Sequence, residues 1–139
     1  MLNHHEKQLV QSTWTLVIPI RDAAAAIFYE ALFERDPALR DLFPQDLAEQ
    51  KRKLMAAVSA AVVGLNQPEQ LIPMLRDMGR KHLAYGVQDK DYETVGAALL
   101  WTLEKGLGED WTPEVAEAWT KAYTLISDTM RDGAAALSA

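Results

Sequence analysis

Apolar residues recur every three or four positions along almost the whole chain, and nowhere do they alternate over the length of a strand. Asn3, with Glu6 three residues on, forms a capping box and predicts a first helix with the stripe Leu9, Val10, Thr13, Trp14 and Val17. Pro19 ends that helix or opens the next. Ile20 to Arg35 carries a second stripe, Ala25, Phe28, Tyr29, Leu32 and Phe33. Asp36-Pro37 pairs an N-cap with a first-turn proline and predicts a short helix to about Leu42, before Pro44 breaks the chain. The next stripe is Leu47, Gln50, Leu54, Ala57, Val58, Ala61, Val62 and Leu65, closed by Gly64 and Asn66-Gln67-Pro68. Leu71, Leu75, Met78, His82 and Tyr85 mark another helix, with a break expected near Pro73 and a stop at Gly86. Val95, Leu99, Leu103 and Leu107 follow, ended by Gly106 and Gly108. Thr112-Pro113 caps the last helix, striped by Val115, Trp119, Ala122, Tyr123, Ile126 and Met130.

The expected fold is therefore all-α, with six to eight unequal helices separated by proline and glycine breaks. That punctuation suits helices packed around a pocket better than a regular four-helix bundle. At 139 residues the chain is expected to form a single domain over 1–139. The 49% hydrophobic content supplies one real core. Lys plus Arg number 14 against 20 Asp plus Glu, a net charge of −6, which disfavours nucleic acid and anionic membrane as partners. Cysteine is absent, which excludes disulfides, thiolate catalysis and iron–sulfur clusters. The longest apolar stretch, Leu54 to Leu65, is twelve residues, short of the ~18 needed to cross a bilayer. With no apolar leader at the N-terminus, a cytoplasmic location and no membrane contact are expected.

Three polar side chains interrupt stripes that should be buried: Tyr29, Gln50 and His82. Buried polar groups need a partner or a ligand. Of the three histidines, His4 and His5 lie at a terminus expected to be mobile, and His82 alone sits on an apolar stripe. Two readings fit it: a core histidine bonded to a backbone carbonyl, or a metal ligand. No second histidine or cysteine lies near enough in the sequence for zinc. Haem iron, which takes four nitrogens from its own ring, needs one proximal imidazole. Gln50 could equally hold its amide in water, and Tyr29 could be a core tyrosine with a satisfied hydroxyl.

The segment Met78-Gly79-Arg80-Lys81-His82-Leu83-Ala84-Tyr85-Gly86-Val87 resembles the proximal-histidine segment of globins. Tyr92-Glu93-Thr94-Val95-Gly96, Leu99-Leu100, Leu107-Gly108, Thr112-Pro113 and Ala118-Trp119 through Tyr123 continue the likeness. Phe28 to Phe33, the Pro37 turn and Leu42-Phe43 resemble the distal side of bacterial members. From Leu9 to Met130 the chain is similar to single-domain bacterial haemoglobins, to the globin part of flavohaemoglobins and to neuroglobin. The resemblance implies the globin fold, haem b as cofactor, and reversible binding of oxygen, carbon monoxide and nitric oxide. It implies that His82 is the proximal iron ligand, with its second ring nitrogen donating to a backbone carbonyl, that of Met78. Phe43 would pack on the haem face, Gln50 would stand where many globins place a distal histidine, and Leu54 would line the ligand pocket. Tyr29 would project its hydroxyl into that pocket. Met78, Val87, Tyr92 and Val95 would contact haem on the proximal side, and Lys53 would meet a propionate.

The chain departs from these relatives in two places. Gln50 replaces the distal histidine, which implies a five-coordinate iron with a Tyr/Gln distal pocket. Flavohaemoglobins pair the proximal histidine with a tyrosine and a glutamate; Tyr92 matches the tyrosine, but the glutamate's position falls near Ala134 and no Glu follows Glu117. Asp132 is the nearest acid. Gas binding is the first functional expectation. Nitric oxide dioxygenation with a separate reductase is the alternative, and a haem-based sensor a further one. A monomer or weak homodimer is expected.

Overall fold

Among residues 2–138, which the computed structural model describes, six α-helices and three 3-10 turns carry the chain. They are α1 (His4–Val17), α2 (Arg21–Arg35), α3 (Ala48–Gly64), α4 (Pro68–Ala84), α5 (Asp89–Leu107) and α6 (Pro113–Ser138). The turns are Ile18–Ile20, Pro37–Leu42 and Gly108–Asp110.

Local chemistry sets most of these boundaries. The Asn3 carboxamide accepts from the Glu6 N–H at 2.8 Å, and the Glu6 carboxylate accepts from the Asn3 N–H at 2.9 Å. This box starts α1 at His4, so His4 and His5 belong to an ordered first turn and not to a mobile terminus. His5 Nε2 pairs with Glu114 Oε1 at 2.5 Å, and Lys121 donates to Glu6 at 2.6 Å, pinning α1 to α6. Pro73 does not break α4, which runs unbroken from Pro68. The missing N–H leaves the Glu69 carbonyl without its helical partner, and both residues are exposed, on the face of the helix that solvent reaches. Gly106 lies inside α5, and the chain leaves the helix at Gly108 with φ +54°. The last helix continues past Met130 to Ser138, placing Asp132 and Ala134 within it.

The core sits where α1, α2, α5 and α6 meet. Trp119 is buried and donates through Nε1 to Thr13 Oγ1 at 2.9 Å, while Trp14 donates to Ser59 Oγ at 2.9 Å. Truncating a fully buried tryptophan such as Trp119 to Ala costs about 3–5 kcal/mol.

The α4/α6 seam is closer than side chains allow. A Cβ on Gly79 would lie 1.8 Å from the Met130 carbonyl oxygen, and one on Gly133 would lie 2.2 Å from the Arg76 carbonyl oxygen. Backbone meets backbone there, which fixes the turn of α4 carrying Met78 and His82. No helix among the described residues is long and apolar enough to cross a membrane.

Candidate functional site

His82 lies in the last turn of α4 and is half-buried. Its Nδ1 is 2.7 Å from the Met78 carbonyl oxygen. A carbonyl only accepts, so Nδ1 carries the hydrogen, and in the neutral ring Nε2 holds the lone pair. Nε2 makes no hydrogen bond among the described residues. The Val87 N–H donates to the His82 carbonyl at 3.0 Å, and Gly86 turns the corner between them at φ +96°, a conformation that favours glycine. Tyr85, 68% exposed, brings its ring centroid to 6.4 Å from that of His82.

A second group forms around Tyr29, which is 5% exposed on α2. Its ring packs against Phe28 at 5.1 Å, Phe43 at 5.6 Å and Phe33 at 5.9 Å between centroids. Its hydroxyl donates to the Gln50 main-chain carbonyl at 3.3 Å. Burial pushes the phenol up to about 12, so the hydroxyl keeps its hydrogen through the physiological range. The Gln50 side-chain amide is half-buried and makes no hydrogen bond among the described residues. Leu54 follows one turn on, half-buried, and Lys53 is exposed without an ion pair among the described residues.

The remaining proximal candidates gather where α5 meets α6. Tyr92 is 7% exposed, and its carbonyl accepts from the Tyr123 hydroxyl at 2.5 Å. Burial raises both phenols, and the Arg131 guanidinium opposes that shift in each. Arg131 Cζ stands 5.1 Å from the Tyr92 ring centre. Gly96 permits the approach of Tyr123: a Cβ there would lie 2.6 Å from Tyr123 Cε2. Val95 and Val87 are half-buried, and Asp132 is exposed. The sequence does not single out Arg131, because one arginine meeting an aromatic ring of another helix leaves no periodic signal.

Tyr29, Gln50 and Phe43 are thus brought together, as are His82, Met78 and Val87. Among the described residues no hydrogen bond or ring contact joins the two groups. They approach at the corner after α4, where a Cβ on Gly86 would be 3.5 Å from Leu42 Cδ2, next to Phe43. An open groove of about 670 Å³ on the opposite face of α3, lined by Trp14, Ala25, Lys51 and Met55 among others, contains none of the candidate site residues.

These residues fit haem. No group of three or more His, Cys, Asp or Glu that could hold a metal ion occurs among the described residues, so His82 is not one of a protein-only ligand set. Its free Nε2 suits a metal that brings its other ligands with it. Phe43, Leu54, Val58, Met78, Val87 and Val95 pack on the core yet stay only partly covered, as side chains that await an apolar partner do.

Comparison with known proteins shows the family. The globin family model matches residues 26–130. A flavohaemoprotein of Rhizobium meliloti is 32% identical over 133 residues, covering 94% of this chain and 33% of its own length. A neuroglobin of Tetraodon nigroviridis is 29% identical over 146 residues, covering 95% of this chain and 92% of its own. The chain thus spans about one third of the length of the flavohaemoproteins it matches. Among solved structures, an engineered carbene transferase built on a Rhodothermus marinus protein described as a nitric oxide dioxygenase aligns with TM-score 0.88 at 28% identity, covering 99% of this chain and 96% of that one. The chain belongs to the globin family, and that membership implies haem binding.

Proposed function

We propose that this chain holds haem b through His82 and reversibly binds oxygen, carbon monoxide and nitric oxide. The observation that supports this most is the state of His82: Nδ1–H is committed to the Met78 carbonyl and Nε2 is free. Phe43, Leu54, Met78, Val87, Tyr92 and Val95 would hold the macrocycle, and Lys53 would meet a propionate. Haem supplies an iron with one open position that diatomic gases enter.

The chain's own residues do the rest. The Met78 carbonyl fixes the tautomer and orientation of His82 and keeps its imidazole neutral, since a carbonyl pulls less on the shared proton than a carboxylate does. Tyr29 and Gln50 are the donors for a ligand atom with partial negative charge. The Tyr29 bond to the Gln50 carbonyl is long at 3.3 Å, against about 2.7–2.8 Å for the usual O–H···O, so the hydroxyl can turn to a better acceptor at little cost. A hydrogen bond to a charged acceptor contributes roughly 1.5–3 kcal/mol, about ten- to hundredfold in affinity. The rings of Phe28, Phe33 and Phe43 around Tyr29 keep water from competing for that donor. Titration of haem into the chain, followed by carbon monoxide, tests the reading. A one-to-one complex with a Soret band that shifts with the gas is expected, and no saturable haem binding would contradict it.

A second reading is nitric oxide dioxygenation, favoured by flavohaemoproteins among the relatives and by the neighbour described as a nitric oxide dioxygenase. Converting oxygen and nitric oxide to nitrate takes one electron per turnover, which a separate reductase must return. Nitric oxide consumption with and without a reductase separates the two readings.

A further inference from the structure

Among the described residues Arg131 has no counter-charge. Its Nε is fully buried with no hydrogen-bond partner, and no carboxylate lies within ion-pair distance of its guanidinium among those residues. Its neighbours on α6, Asp128 and Asp132, are both exposed. The guanidinium as a whole is half-buried, but an Nε shut off from solvent without a hydrogen bond costs free energy. The Tyr92 ring face, 5.1 Å away, offsets part of that cost. The position is informative as well. The residue before it, Met130, lays its backbone against Gly79, one turn from His82. The guanidinium also acts on the hydroxyls of both Tyr92 and Tyr123. A fixed positive charge therefore stands on the α5/α6 side of the turn that carries His82.

We propose that Arg131 is a positioning residue for charge: it disfavours the added positive charge of oxidised iron and so raises the ferric/ferrous midpoint potential. This rests on the haem reading. The physical reason is Coulombic: in a low-dielectric interior a fixed charge acts over a longer range than in water. No further ligand is needed, and the electron comes from the mediator in the titration.

Spectroelectrochemical titration of the haem-loaded chain tests it, with R131Q and R131M as two uncharged replacements and R131K keeping the charge. Met preserves the apolar stem, so if one neutral variant fails to fold the other carries the test. Both neutral variants should shift the ferric-to-ferrous ratio at fixed potential about tenfold towards ferric, a fall of about 59 mV for a one-electron couple. R131K should stay within a factor of about two of wild type, and Asp132→Asn should not move it. Unchanged midpoints in the neutral variants, or R131K falling with them, would overturn the proposal. The spectrum recorded before each titration keeps the two claims apart. Loss of His82 ligation in wild type overturns the haem reading, and with it this one, whereas intact ligation with an unmoved potential overturns only the role of Arg131.

Discussion

The Tyr29 hydroxyl donates to the Gln50 main-chain carbonyl across 3.3 Å, tying α2 to the first turn of α3. The hydroxyl has one hydrogen, so this bond and a bond to a gas ligand exclude each other. Tyr29→Phe should therefore speed oxygen release about ten- to hundredfold, with a much smaller effect on carbon monoxide, which carries less negative charge. Stopped-flow displacement measures both. Equal changes for the two gases would mean that the space around Tyr29, not its hydrogen bond, controls release.

Tyr29 also predicts a pH dependence. Burial lifts its phenol from about 10 to about 12, and burial raises Tyr92 and Tyr123 in the same direction. The unfolded chain then loses these protons first as pH rises. Stability is fully present below pH about 10 and declines between the unfolded and folded values. Two units correspond to about 3 kcal/mol at most for Tyr29. Urea denaturation from pH 8 to 12 should show this decline, and Tyr29→Phe should flatten it. An equal slope in the variant would assign the effect elsewhere.

Gly79→Ala tests the α4/α6 seam. A Cβ would meet the Met130 backbone at 1.8 Å, so a helix must move. The expected loss is at least about 3 kcal/mol, roughly 10 °C in Tm. Gly64→Ala is the contrast. Its Cβ would meet no backbone, only the Leu71 side chain, at 2.9 Å from Cδ1 and 3.2 Å from Cβ, so Leu71 must shift by a few tenths of an ångström and the loss should be about 1–2 kcal/mol, smaller than at Gly79. Similar melting temperatures for the two variants would contradict the close backbone contact.

Features written in neighbouring residues are legible in the sequence itself. The Asn3/Glu6 box, the Asp36-Pro37 turn and the Thr112-Pro113 cap each depend on atoms three residues apart or fewer, and each is present. The His82–Met78 bond is legible for the same reason, being one helical turn. Pro73 misleads because a proline on an exposed face costs a helix less than the rule for interiors implies. The apolar stripe allows a core Tyr29 with a satisfied hydroxyl, and that is what is found, but not its partner: the hydroxyl rests on a main-chain carbonyl, an acceptor that every residue has and no pattern marks. The contacts between Arg131 and Tyr92 and between Gly79 and Met130 are invisible in the sequence because they join residues 39 and 51 positions apart.

Steady nitric oxide consumption should need an added reductase. The six helices are those of a globin, and each nitrate formed costs one electron. Purified chain with oxygen and NADH should show one fast turnover and then stop, whereas a competent reductase should restore turnover. Sustained consumption with NADH alone would move dioxygenation to first place.

Axial ligation by His82 is the claim on which the rest depends. His5 is paired with Glu114, and His4 lies beside it in the first turn of α1, so neither is expected to replace His82. The absorption spectrum of the haem-loaded chain, compared with His82→Gly with and without added imidazole, measures it directly. The account predicts a wild-type spectrum with one histidine ligand, a lost or grossly altered Soret band in His82→Gly, and its recovery when imidazole fills the vacated space. A Soret band unchanged by His82→Gly, or a two-histidine low-spin spectrum in the wild type, would contradict it.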